Sequence, residues 1–234
     1  MAEAVADIRR RMADAAREAG RDPAAVQLCA ACKTHTPAAI ALSAQLPIDL
    51  FGENHVQELT VNYDAGAYCG KPVHFIGHLQ TNKIKKVLGR AALIQSVDSP
   101  RLLAALEKEA AKLGLTQDIL LEVNIGREES KGGCLPEDLP ALARQAAALS
   151  HVRLRGLMAI PPAAAAPGDN RRFFAATRQL FVDIRSQIGD NDTDIDCLSM
   201  GMSDDYEDAV REGATLVRLG TALFGPRPPR APEG

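Results

Sequence analysis

The chain has 234 residues, 46% of them hydrophobic and 24% charged, with a formal net charge of −3. This is the composition of a soluble globular protein and leaves no basic field to attract nucleic acid. No run is apolar for long enough to span a bilayer, Met1–Arg11 lacks the continuous apolar stretch of a secretory signal, and five cysteines, an odd number, fit reduced thiols in the cytoplasm.

In chain order, an amphipathic helix is expected over Ala2–Gly20, followed by short apolar runs that alternate with helical segments. The runs that read as strands are Val26–Lys33, Asp49–Gly52, Val73–Gly77, Leu93–Val97, Ile119–Ile125, Leu154–Ile160, Cys197–Met200 and Leu216–Leu219. The helix after Val97 is well marked: Ser99 caps it, Pro100 suits its first turn and Gly114 ends it. Leu102, Leu103, Leu106, Ala110 and Leu113 form its apolar stripe.

Such alternation calls for a parallel sheet with helical crossovers, either doubly wound and open or closed into a barrel. About eight repeats in a chain of this length suit the barrel. The first strand also leads into Lys33–Pro37, a turn with no glycine, where a doubly wound fold would more often carry a Gly-rich one. The expected fold is therefore α/β, a single (β/α)8 TIM barrel over residues 1–225 with an extra N-terminal helix. The Pro-rich tail 226–234 is expected to be disordered, and Pro161–Gly168 to form a mobile loop on the barrel's C-terminal face.

Polar residues gather at the C-terminal ends of these runs, the face where barrels place their active sites. Lys33 closes the first run. A lysine there either snorkels to water or, held in an apolar mouth, attacks a carbonyl carbon. Gly220 and Thr221 offer a turn for a phosphate, with Ser203 nearby. The acidic residues Asp204, Asp205 and Glu207 would repel an anion placed deeper on the following helix. Arg218 interrupts an apolar run, which calls for an interior ion pair, for instance with Glu122, or a donor aimed at a ring nitrogen.

Other patterns weigh less. His74 and His78 have the spacing of a helical metal pair but fall on a strand, where their rings diverge, so no metal is expected. Cys29 and Cys32 read as buried small residues, and Lys83–Lys86 as a solvated helix face. Asn191–Thr193 fits a glycosylation pattern that a cytoplasmic chain would not use.

Seven segments in register resemble the YggS/PROSC family of pyridoxal 5′-phosphate (PLP) homeostasis proteins: Cys32–Thr34, Phe51–Glu58, His74–Lys83, Val123–Ile125 with Ser130–Gly132, Arg155–Ile160, Leu198–Asp205 and Val217–Gly225. The resemblance implies a barrel like the N-terminal domain of alanine racemase, with PLP held as an internal aldimine on Lys33. It places Asn54, Ile76 and Gly77 beside the cofactor, counts Met202 among the cofactor-binding residues, and puts Ser203, Gly220 and Thr221 around the phosphate. Arg218 would face the pyridine nitrogen, and Lys83 and Lys131 would lie near the mouth. Cys29 and Cys32 depart from the small residues usual at their positions.

The implied function is carriage of PLP in intracellular PLP homeostasis and amino-acid and keto-acid balance, without robust catalysis. PLP-dependent apoenzymes would be recipients, and the protein is expected to be a cytoplasmic monomer that binds neither membrane nor nucleic acid. The alternative is a PLP-dependent amino-acid racemase of weak or narrow activity. Alanine racemase draws its second acid/base group, a tyrosine, from an additional β-domain, for which the chain as given leaves no room after the barrel. Tyr63, Tyr68 and Tyr206 all fall in or beside helices. A phosphosugar enzyme without PLP is a third option.

Overall fold

The computed structural model describes residues 1–188 and 195–225. The tail 226–234 and Asn191–Thr193 lie outside these described residues. The strands are β1 (Gln27–Ala31), β2 (Leu50–Glu53), β3 (Val73–Phe75), β4 (Leu93–Val97), β5 (Gln117–Val123), β6 (Val152–Ala159), β7 (Cys197–Ser199) and β8 (Leu216–Leu219). The α-helices are α1 (Ala2–Glu18), α2 (Pro37–Ser43), α3 (Val56–Asp64), α4 (Ile84–Val87), α5 (Pro100–Leu113), α6 (Leu139–Ala147), α7 (Arg171–Ile188), α8 (Tyr206–Arg211) and α9 (Thr221–Phe224). The strands pair in sequence order, each parallel to the next, and β8 closes on β1 with Cys29 opposite Arg218. This is the expected (β/α)8 barrel, and α1 precedes β1 as the extra helix.

Alternation along each strand divides the core in two. Outward-facing residues such as Leu28, Phe51, Phe75, Ile94, Leu121 and Leu198 join the helices in one large apolar layer. Inward-facing Cys29, Leu50 and Leu216, and separately Leu93, Leu120 and Met158, form small clusters inside the ring. The two cysteines obey the same rule. Cys29 lies inside and Cys32 belongs to the outer layer, so both are buried free thiols.

The α5 signals act as expected. Ser99 Oγ accepts the Leu102 N–H at 3.4 Å, and Gly114 takes the left-handed conformation at φ 63°. Leu113 departs from its expected burial: at the open end of the helix it is 56% exposed. The chain runs 161–168 without regular structure, yet Asp169 Oδ2 accepts the N–H groups of Ala165 and Ala166, and Asn170 Nδ2 donates to the Pro162 carbonyl. Among the described residues, no helix is long and apolar enough to cross a membrane.

Candidate functional site

A cavity of about 340 Å3 opens where β1, β2, β3, β6 and β8 end. Of the nine residues singled out from the sequence, Lys33, Asn54, Ile76, Met202, Ser203, Arg218, Gly220 and Thr221 line it. Gly77 does not. A Cβ there would lie 2.0 Å from the Asn54 carbonyl oxygen, so Gly77 lets the backbone after β3 lie flat against Asn54. Its neighbour Ile76 lines the cavity.

Lys33 lies two residues past the end of β1, not within a strand. The backbone then turns sharply. Thr34 has φ 66°, a conformation uncommon for a β-branched residue, and such strain collects at functional sites. Two hydrogen bonds hold the turn: Thr34 N–H to Glu58 Oε1 at 3.2 Å and His35 N–H to the Cys32 carbonyl at 2.9 Å. The His35 ring stacks on Phe224 at 4.2 Å between centroids, which ties the Lys33 loop to α9. Burial lowers the His35 pKa and Glu58 offsets part of that.

On the opposite wall, Ser203 Oγ accepts the Ala222 N–H at 3.2 Å and joins the turn after β7 to the first turn of α9. Asp205 Oδ1 accepts the Met202 N–H and its Oδ2 accepts from Asn170, both at 2.7 Å, while Glu207 pairs with Arg11. Those two carboxylates are thus committed to the scaffold. Asp204 stays on the cavity lining and keeps an acidic edge there.

Arg218 is 5% exposed. Its Nη1 donates to Ser199 Oγ at 2.5 Å and its Nη2 to the Ala159 carbonyl at 3.0 Å. Burial pulls its pKa down, and the nearest compensating influences are Cys29 and Glu122. A direct ion pair with Glu122, one of the two alternatives for this arginine, does not form among the described residues; a serine and a carbonyl oxygen accept from the guanidinium instead. Burial pushes the Glu122 carboxyl up to about 7, Asp98 adds to this and Arg218 opposes it.

The two outlying lysines differ. Lys131 Nζ reaches Glu128 at 2.5 Å and the Pro161 carbonyl at 2.9 Å, so it pins its own loop to the loop after β6. Lys83 ends a short 3-10 turn before α4. His74 is buried on β3, where Gln95 Nε2 meets its Nδ1 at 2.8 Å; His78 lies in a separate surface depression. The tyrosines are engaged elsewhere: Tyr68 donates to Glu53, Tyr206 packs beneath Arg11 and Tyr63 is exposed on α3.

Sequence reasoning left out five lining residues: Ala31, His35, Ile160, Asp204 and Gly225. His35 had a usable signal, a polar ring two residues beyond Lys33. The contribution of Gly225 depends on how α9 folds back, which no local pattern encodes.

The alanine racemase N-terminal domain family matches residues 5–228. A pyridoxal phosphate homeostasis protein of Aquifex aeolicus is 40% identical over 225 residues, covering 96% of this chain and 97% of its own. The protein of the same name from Pseudomonas aeruginosa is 41% identical over 232 residues, with 99% and 98% covered. Among solved structures, PipY of Synechococcus elongatus with PLP bound aligns with a TM-score of 0.79 at 34% identity, over 93% of this chain and 100% of that one. By fold, by domain match and by 40–41% identity over nearly its whole length, this chain belongs to the pyridoxal phosphate homeostasis protein family.

Proposed function

We propose that the protein holds PLP through Lys33 and serves PLP homeostasis in the cytoplasm, as a carrier without robust catalysis. The observation that carries this reading is the convergence of three chemistries on one cavity: the primary amine of Lys33, the donor-only guanidinium of Arg218, and the Ser203 hydroxyl beside the Gly220–Ala222 turn. They answer the three reactive features of PLP, its aldehyde, its ring nitrogen and its phosphate. The donor set therefore fits the cofactor. Asn54 and Ile76 supply the remaining walls, and Met202 flanks Ser203.

When bound, PLP supplies an electron sink whose strength depends on a protonated ring nitrogen. Arg218 works against that protonation. A guanidinium donates and never accepts, so it meets a ring nitrogen whose lone pair is free. Ser199 and the Ala159 carbonyl hold it in place for that contact. The three tyrosines sit away from the cavity lining, which leaves Lys33 without a tyrosine partner for proton exchange on a substrate's opposite face. Both features favour holding the cofactor over transforming an amino acid with it.

In this reading PLP-dependent apoenzymes are the recipients, and the protein works as a monomer that binds neither membrane nor nucleic acid. The net charge of −3 is consistent with the last point. The test is borohydride reduction of purified protein, then digestion and mass mapping. A pyridoxyl group on Lys33, absent from Lys33→Ala, is the expected result; the group on Lys83 or Lys131 instead would overturn the assignment. Incubation with single L-amino acids in deuterated buffer should give no D-form. A D-form deuterated at Cα would replace the carrier reading with that of a racemase.

A further inference from the structure

The barrel interior contains a continuous polar seam that neither the fold nor the cavity lining explains. Four inward-facing side chains on four strands form it: Arg218 on β8, Ser199 on β7, Gln95 on β4 and His74 on β3. All four are buried. Arg218 Nη1 lies 2.5 Å from Ser199 Oγ, Ser199 Oγ lies 2.6 Å from Gln95 Oε1, and Gln95 Nε2 lies 2.8 Å from His74 Nδ1. One end lines the candidate cofactor cavity. The other, His74, lines a separate cavity of about 520 Å3 at the N-terminal end of the strands.

The direction of every hydrogen bond in this chain follows from its first member. Arginine carries only donors, so Ser199 Oγ must accept from it. The serine proton then needs an acceptor, and Gln95 turns its carbonyl oxygen toward it. That orientation leaves the amide nitrogen of Gln95 facing His74, so Nδ1 must accept and the ring proton sits on Nε2. A neutral ring is required, and burial supplies it by lowering the His74 pKa to about 4, against a smaller opposing influence from Asp118. Reversing any one link alone would oppose two donors or two acceptors inside the barrel, where an unsatisfied polar group is destabilising.

We propose that Ser199, Gln95 and His74 are positioning residues that act through Arg218: together they hold its guanidinium in the one orientation that meets the ring nitrogen of the cofactor. The inference rests on the reading that Arg218 faces that nitrogen. It assigns a role to three residues, Ser199, Gln95 and His74, that are all absent from the cavity lining.

The test separates the two levels. Arg218→Lys removes the planar donor and should shift the absorption of the PLP-loaded protein; no shift would sink the reading of Arg218 itself. Given that shift, Ser199→Ala should reproduce part of it and weaken PLP retention by about tenfold, the effect of one lost charge-assisted hydrogen bond, and Gln95→Met, which removes only neutral hydrogen bonds, should act in the same direction by less. Gln95→Glu should restore the wild-type absorption, because a carboxylate accepts from Ser199 just as the amide oxygen does. An Arg218-dependent spectrum with wild-type retention in both Ser199→Ala and Gln95→Met would overturn the relay and leave the Arg218 reading intact.

A second readout needs no cofactor. Nitrogen NMR of the free protein at neutral pH should show His74 with its proton on Nε2, and Gln95→Glu should move a proton onto Nδ1. A wild-type His74 protonated at Nδ1 would refute the polarity of the relay even if the other variants failed to fold.

Discussion

Replacing Glu53 with glutamine should change how stability depends on pH. Glu53 ends β2 with its carboxyl turned into the helix layer, fully buried. Asn62 Nδ2 and Tyr68 Oη donate to Oε1 at 2.8 and 2.9 Å, whereas Oε2 has no partner. Burial raises its pKa from 4.5 to about 7 against the pull of those two hydrogen bonds, and Glu58 adds a smaller push upward. The folded state thus binds a proton that the unfolded chain has already released across this interval. The stabilising contribution is complete below about pH 4.5 and is lost as pH rises through about 7. A shift of this size corresponds to about 3 kcal/mol at about 1.4 kcal/mol per unit. Glutamine cannot ionise, so the stability of Glu53→Gln relative to wild type should increase by about 3 kcal/mol between pH 4.5 and 8.5. Urea denaturation at the two pH values measures this. Glu122, also pushed up to about 7, adds a slope of the same sign, so the comparison is repeated in a Glu122→Gln background. Carboxylates such as Glu107, which burial pushes up and hydrogen bonds from His151 and Ser150 more than pull back down, are the same in variant and wild type, so their contribution cancels in the difference. A stability difference that stays constant across the range would refute the reasoning.

Three further substitutions probe the backbone. Gly114→Ala meets no atom within 4 Å but forces a left-handed alanine, so it should destabilise the fold by about 1 kcal/mol and leave PLP binding unchanged. Gly77→Ala places a Cβ 2.0 Å from the Asn54 carbonyl oxygen, so it should destabilise by more than Gly114→Ala and also reduce PLP binding; equal losses of stability in the two variants would contradict this. Thr34→Gly should stabilise the free protein by about 1 kcal/mol, since glycine adopts φ 66° without the steric cost that threonine bears there. A loss of stability in urea would show that Thr34 is not strained.

Strand positions were legible because each strand is a short apolar run between polar turns, and all eight lie within about two residues of where the pattern placed them. The errors cluster at strand ends. The first run reads apolar through Cys32, yet the ladder of β1 stops at Ala31, because where pairing ends depends on the neighbouring strands β2 and β8. Lys33 therefore leaves the barrel from a strained turn, a detail invisible in a one-dimensional pattern.

Residue chemistry and local periodicity, both written along the chain, already determine the barrel, the α5 caps, the attachment lysine as a candidate and the cluster of polar groups at strand ends. Partner choice is different. On paper Glu122 was a sensible interior partner for Arg218, and the folded protein gives it Ser199 and the Ala159 carbonyl in its place. His74 looked like half of a metal pair and is committed to Gln95. These outcomes depend on which inward-facing side chains from distant strands meet once the ring closes. That meeting is set by strand register and tilt, and no segment of the chain specifies either alone.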